Sequence, residues 1–325
     1  MRVLNRLSYY RRIFAAYFFS PVSQLTFWHD HPAAHPEACK EKLGPYYMTF
    51  REKADYVASL DDHGVPMLDY HGTIGRQYNP IAVAQYGLGN FNLYFAEQDQ
   101  ERKRKMLVAA DWLVANLEPN AHGLKVWHHK FNWEYRSTLV APWYSGLAQG
   151  QGISLLLRAH KITGDIRYKD AAMAAYESFR HDVEHGGVLF YQDEDVWIEE
   201  YLVTPPTHIL NGFIWALWGV ADIFDATSAP DIKVFYDCCV QTLLRNLGKY
   251  DTGYWSLYEQ SGTRLPMITS AFYHELHIVQ LRLMYQMTQQ SGFQTMADRW
   301  EGYRHSWWNS KRAWVEKVIF KLLYY

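Results

Sequence analysis

Ser145-Gly146-Leu147-Ala148-Gln149-Gly150-Gln151 opens a run that continues Ile153-Ser154-Leu155-Leu156-Leu157. Apolar residues surround that helix on every side, which marks an inner, buried element. Three other stretches begin the same way: Ala82-Val83-Ala84-Gln85-Tyr86-Gly87-Leu88, Ile209-Leu210-Asn211-Gly212-Phe213 and Phe272-Tyr273-His274-Glu275-Leu276-His277. The starts recur about every 63 residues, a long period but a repeated one. An amphipathic stretch follows the inner one in each unit, as in Tyr168 to Val183 or Ile232 to Leu247. The joining turns carry Thr163-Gly164-Asp165 and Ser228-Ala229-Pro230-Asp231, where Pro230 can open the next helix.

Between hairpins lie Gly123-Leu124-Lys125-Val126-Trp127, Gly187-Val188-Leu189-Phe190-Tyr191 and Gly253-Tyr254-Trp255-Ser256-Leu257-Tyr258. Each reads as a turn into a strand. The expected fold is mainly α: an (α/α) toroid of four hairpins, with short β-hairpin connections clustered at the mouth where the inner helices begin. Residues 1–79 form an N-terminal extension of helix and irregular or β segments, 80–310 the toroid, and 311–325 a basic aromatic C-terminal helix.

The formal net charge of -2 argues against a surface built for nucleic acid. Aromatic residues make up 17%, with 25 Tyr and 13 Trp. Buried Tyr and Trp need polar partners, so a part-apolar, part-hydrogen-bonding cleft suits them, and sugars fit such a cleft. Filling a large core is the plainer use for most of them. Cys39, Cys238 and Cys239 form no disulfide framework or zinc spacing, so a reducing, cytoplasmic compartment is expected. No apolar run reaches about 18 residues. Arg2, Arg6, Arg11 and Arg12 flank Ile13 to Phe19, and Lys311, Arg312, Lys317 and Lys321 alternate with Trp314, Val318, Ile319, Phe320 and Leu322. Such ends pack on the domain or lie peripherally on an anionic membrane; packing is the simpler expectation.

Glu199-Glu200-Tyr201 precedes the third inner helix. Adjacent acids point to opposite sides of an extended strand, so at most one faces a cleft. Desolvation beside Trp197 and Tyr201 would raise that acid toward acid/base use. Tyr258 and Tyr273 fall near the same mouth, where a Tyr serves as acid or as a stabilised phenolate base. His274 is a candidate charge partner for such a phenolate. His274-x-x-His277 has no acidic partner that would complete a metal set, and neither metal nor cofactor is expected. Gly146 to Gly152 lacks phosphate-loop spacing, and no serine-hydrolase elbow surrounds Ser145. The small residues there suit close helix packing or approach to a sugar.

The ordered stretches Pro80 to Leu88, Trp143-Tyr144 through Ser154, Glu199-Glu200-Tyr201 with Thr204-Pro205, Leu210-Asn211-Gly212-Phe213, Tyr250 to Gly253, Ser256-Leu257-Tyr258 and Tyr273-His274 through Leu281 resemble the C-terminal domain of the heparosan (heparan sulfate) glucuronyl C5-epimerase family. The resemblance runs from residue 65 to 305. It implies conversion of D-glucuronate to L-iduronate within a heparosan-type polysaccharide. It implies catalytic roles for Glu200, Tyr201, Tyr258 and Tyr273, and leaves open which of Glu200 and Tyr273 removes the glucuronate proton. Trp143, Tyr144, Gln149, Asn211, Gln85, His274 and His277 are candidate substrate contacts. The same proton abstraction followed by loss of the C4 substituent would make a lyase, and a non-catalytic glycan-binding protein is a third reading.

Two departures stand out. The β-rich domain that animal members carry before the hairpins has no counterpart in the short, partly helical interval from Asn90 to Pro142. A homodimer, with a partner supplying that cleft wall, is therefore expected. The family's Arg after the Tyr matching Tyr258 is replaced by Glu259-Gln260-Ser261 in a shorter loop, leaving Arg264 as the candidate carboxylate-neutralising group.

Overall fold

The computed structural model describes residues 27–28 and 31–324. The basic aromatic N-terminal run lies outside them. The fold is an α/α toroid. After a short helix α1 (Arg51–Ala54), four hairpins follow: α2 (Pro80–Glu97) with α3 (Gln100–Ala115), α4 (Gly146–Thr163) with α5 (Ile166–Tyr176), α6 (Leu210–Thr227) with α7 (Pro230–Asn246), and α8 (Ala271–Thr288) with α9 (Ser291–Arg304). A final helix α10 runs from Trp307 to Tyr324, starting before Lys311.

Local chemistry sets the inner-helix starts. Asn79 Oδ1 accepts the Ile81 and Ala82 N–H groups, and Pro80 occupies the first helical position, where a missing N–H costs nothing. Ser145 and Ser270 cap α4 and α8 through the N–H groups of Ala148 and Tyr273. Helix α6 has no side-chain cap; instead its first N–H, on Leu210, donates to the Tyr258 carbonyl at 3.2 Å. The inner helices are buried nearly all round, as in the unbroken run Leu210 to Val220. The outer helices bury one stripe, as in Ile232, Tyr236, Cys239, Val240 and Leu243 of α7. Helices α4 and α6 meet backbone to backbone: a Cβ on Gly150 would lie 2.5 Å from Ala216 Cα. The small residues of α4 therefore serve helix packing.

Each hairpin turns through one left-handed residue: Gln98 (φ 55°), Gly164 (φ 72°), Ser228 (φ 55°) and Gln289 (φ 58°). Only the second is glycine, and the left-handed region costs other residues about 1 kcal/mol. Ser228 is exposed. The substitution Ser228→Gly is therefore expected to stabilise the fold by about 0.5–1 kcal/mol in urea unfolding. An unchanged or lower midpoint would show that the turn is not strained.

Short antiparallel pairs fill the connections: β1 (Leu68–Asp69) with β2 (Arg76–Gln77), β3 (Leu117–Pro119) with β4 (Lys125–Trp127), β5 (Trp133–Glu134) with β6 (Thr138–Leu139), and β7 (Leu189–Gln192) with β8 (Asp195–Ile198). The strand expected over Gly253 to Tyr258 does not form. Thr252 N–H closes a tight turn onto the Trp255 carbonyl at 3.0 Å, leaving only the isolated bridges Asp251–Ser256 and Leu257–Ile268.

The inner helices pack in order, and the segment before α1 borders a cleft together with Gln85 of α2 and Phe272, Tyr273 and Leu276 of α8. It is fastened across the later turns of three inner helices. Tyr46 N–H donates to Asn92 Oδ1 (2.7 Å), Arg158 Nε donates to the Gly44 carbonyl (2.9 Å), and the Tyr47 hydroxyl donates to Asp222 Oδ1 (3.0 Å). Arg158 and Asp222 form a fully buried ion pair at 2.6 Å.

Helix α10 packs through Ala313 and Phe320, both 2% exposed, while Trp307, Trp308, Trp314, Leu322 and Leu323 point outward. Among the described residues, no helix is long and apolar enough to cross a membrane.

Candidate active site

Glu199 and Glu200 leave strand β8 in opposite directions. The Glu199 carboxylate turns inward, accepting the His208 N–H at 3.1 Å and lying 2.5 Å from His208 Nδ1, whose ring stacks on Trp197. This clamp closes the Pro205–Pro206 loop. Glu200 turns the other way, over Gly212 in the first turn of α6. A Cβ on Gly212 would lie 2.1 Å from Glu200 Oε2, so glycine leaves the space the carboxyl occupies.

Glu200 is 5% exposed, and Oε2 has no hydrogen-bond partner among the described residues. Burial, reinforced by Glu259 and Glu199, pushes this carboxyl up to about 8 against an opposing hydrogen bond from Tyr201. The native state thus holds the Glu200 proton more tightly than the unfolded chain, whose Glu titrates at 4.5. That contribution to stability is largest at low pH, falls as pH rises from 4.5 to about 8, and is flat beyond. Glu200→Gln does not ionise. It is expected to gain on the wild type, by a few kcal/mol in order of magnitude, between about pH 5 and about pH 9. Parallel denaturation curves at both pH values would contradict the buried position of Glu200.

Tyr258 and Tyr273 meet edge to face, with ring centroids 5.0 Å apart. Tyr273 sits in the first turn of α8, and Tyr258 is held through its own N–H to the Met267 carbonyl (2.8 Å) and its carbonyl to Leu210. Burial, then the charges of Glu200 and Tyr273, raise the Tyr258 phenol well above its ordinary value, so it remains an O–H donor. Tyr201 stacks obliquely on Tyr135 (4.6 Å) and edge-on to Trp143 (5.8 Å). One apolar cluster, built on Tyr135, Ile209, Tyr258 and Met267 with Tyr201, Tyr273 and Trp143 against it, joins these groups. A cleft beside Tyr273 is lined by Gln85, Trp215, Phe272 and Leu276 and roofed by Met48, Phe50 and the His31–Ala33 segment.

The other named residues divide by accessibility. Gln85 and Asn211 face inward between inner helices; Gln85 Nε2 donates to Gln151, while Gln85 Oε1 and Asn211 Oδ1 lack partners among the described residues. Gln149, His274 and His277 are fully buried and line no surface that a glycan reaches. Gln149 braces Trp127 N–H and the Lys125 and Ala175 carbonyls. His274 is not a phenolate partner. Its Nδ1 accepts the Ser256 N–H (3.2 Å), its Nε2 faces the Trp300 carbonyl (3.0 Å), and burial lowers it to about 4, so the ring is neutral. Tyr144 donates to the Gly186 carbonyl (2.8 Å), away from the phenol cluster. Arg264 is exposed on the loop after Tyr258.

Several neighbours of the site carry no periodic signal in the sequence. Glu259, 2% exposed, accepts hydrogen bonds from the Tyr135 hydroxyl and the Arg136 guanidinium at the tip of the β5–β6 hairpin. Lys317 and Lys321 of α10 approach the same carboxylate. The only available hint was the acid directly after Tyr258.

These groups set a buried acid among phenols where the inner helices of the α/α toroid begin. Cellobiose 2-epimerases from Spirochaeta thermophila and Bacillus thermoamylovorans share the fold. The first has TM-score 0.53 and 13% identity, covering 77% of this chain and 64% of that one; the second has TM-score 0.52 and 15% identity, covering 93% and 71%. The family described as D-glucuronyl C5-epimerase C-terminus matches residues 122–302, and the chain belongs to it. A Caenorhabditis elegans protein named D-glucuronyl C5-epimerase is 30% identical over 224 residues; the match covers 64% of this chain and 36% of that protein.

Proposed function

We propose that this chain inverts C5 of D-glucuronate to L-iduronate within a heparosan-type polysaccharide. The observation that carries the reading is Glu200: a desolvated carboxyl, pushed up to about 8, beside the Tyr201 and Tyr258 phenols, with Tyr273 against Tyr258. A hydrogen α to a carboxylate is weakly acidic, so abstraction needs a base of matched strength and donors for the charge that develops on the substrate carboxylate. An acid titrating near 8 can lose its proton close to neutrality and returns it readily. Glu200 is the base toward glucuronate. Tyr273, on the neighbouring helix, is the acid that reprotonates the opposite face, and the roles exchange in reverse. The neutral Tyr258 hydroxyl, with Tyr201, donates to the developing enolate.

Family membership and the likeness to a named glucuronyl epimerase support this reaction. Incubating the protein with heparosan in heavy water tests it by NMR. Deuterium at C5 with iduronate signals is the expected outcome. An unsaturated uronate would mean a lyase, and no exchange in heparosan or its N-sulfated form would leave neither activity standing.

A further inference from the structure

Helix α10 has two apolar faces, and the domain covers one of them. On the inner face Ala313 packs with Tyr254, Trp255 and Ile268, and Phe320 joins the cluster of Tyr258 and Ile209. Lys317 Nζ lies 5.8 Å from the centre of the Tyr258 ring on that side. The outer face carries Trp307, Lys311, Trp314, Val315, Val318 and Leu322. These positions recur every three or four residues and so form one stripe. Trp308, Ile319 and Leu323 widen it along one edge. All nine side chains are exposed, Trp308 by 76% and Trp314 by 66%. The other exposed large apolar side chains of the described residues, such as Val57, Val140 and Val234, lie on separate elements. Scattered single residues of that kind are ordinary, whereas a contiguous stripe marks a contact surface.

Charge decides what the stripe fits. Lys311 sits at its centre, with Nζ 5.8 Å over the Trp307 ring, and has no carboxylate partner among the described residues. The one acid of α10, Glu316, lies off the stripe and is engaged by the Tyr254 hydroxyl and by Arg312. Two copies meeting through this stripe about a two-fold axis would each press a lysine into the other's apolar face. Neither stripe holds an acid to receive it, and a buried unpaired cation is strongly destabilising. An anionic bilayer surface takes the same pattern without that conflict. The tryptophans and aliphatic side chains enter the headgroup boundary, and the Lys311 stem runs along them to place its ammonium among the phosphates. No described helix is long and apolar enough to cross a membrane, so α10 lies along such a surface and not through it.

We propose that the outer face of α10 docks this protein on an anionic lipid surface. The phenol cluster meets the opposite face of the helix, so the inference does not rest on the proposed reaction. The test uses the full chain with vesicles of phosphatidylcholine, alone or mixed with phosphatidylserine, read by co-sedimentation. The wild type is expected to bind the mixed vesicles about fivefold or more tighter than the neutral ones. Among the described residues the exposed tryptophans are Trp307, Trp308 and Trp314, so brominated acyl chains should quench their fluorescence on binding. W308S/L322S should weaken binding about tenfold or more and unfold at the wild-type denaturant concentration, because both side chains are exposed. K311Q should reduce the preference for phosphatidylserine about fivefold, and K311R should keep it. A wild type that binds neither vesicle, binding without quenching, or a W308S/L322S variant that binds like the wild type overturns the inference. A lipid-free dimer that W308S/L322S converts to a monomer, with no vesicle binding, overturns it too and assigns the stripe to a second copy of this chain.

Discussion

Glu200→Gln is expected to lower C5 proton exchange by about a thousandfold or more while leaving glycan binding nearly intact. Glutamine matches the carboxyl in size, so it fits the space over Gly212, but it cannot exchange a proton near neutral pH. In the wild type the exchange rate should rise with pH through about 8, where half of Glu200 is ionised and the rate is half-maximal, and level off about one unit higher. Tyr273→Phe removes the opposed acid and keeps the ring contact with Tyr258; it should show the same loss. Steady-state rates against pH for the wild type and both variants check this. Activity of either variant within about tenfold of wild type would remove that residue from the proton path.

The second large effect is on stability. Asp222→Ala leaves the Arg158 guanidinium buried without its carboxylate. It should cost about 3–5 kcal/mol. The Tyr47 hydroxyl loses its acceptor and Arg158, which holds the Gly44 carbonyl, loses its carboxylate in the same step, so hydrogen exchange should speed up across residues 44–50 as well as in α4 and α6. Replacing both partners, Arg158→Met with Asp222→Leu, should recover much of the loss, because no charge then remains buried. A single variant that unfolds at the wild-type denaturant concentration would show that the pair does not hold the closing segment.

The hairpins were legible because the inner helices are apolar all round and the outer ones are not, a contrast that survives in any single repeat. The starts were legible because Asn79-Pro80, Ser145 and Ser270 are local signals. How the ring closes was not. Arg158 and Asp222 are 64 residues apart in sequence and look like ordinary helix charges until α4 and α6 bring them to one point. The site was half legible. Opposite pointing of Glu199 and Glu200 follows from strand geometry, and both carboxyls are indeed turned apart. Their different fates depend on His208, which clamps one, and Gly212, which makes room for the other. His274 looked like a site residue because it follows Tyr273, but on a helix the next position points elsewhere, here into Ser256 and Trp300. The aromatic C-terminal helix was visible, yet the face that meets Tyr258 was not, since Lys317 and Phe320 read equally well as part of a solvated amphipathic pattern.

Heparosan carrying deuterium at C5 of its glucuronate residues offers the most direct test of the central claim, that Glu200 and the Tyr273 phenol move the C5 proton. The quantity to measure is deuterium released into water per enzyme per unit time. The wild type should release it steadily and more slowly than protium from unlabelled chains, while Glu200→Gln releases almost none. Wild-type enzyme that binds the chain and releases no deuterium, or a Glu200→Gln variant that releases it at the wild-type rate, would contradict the account.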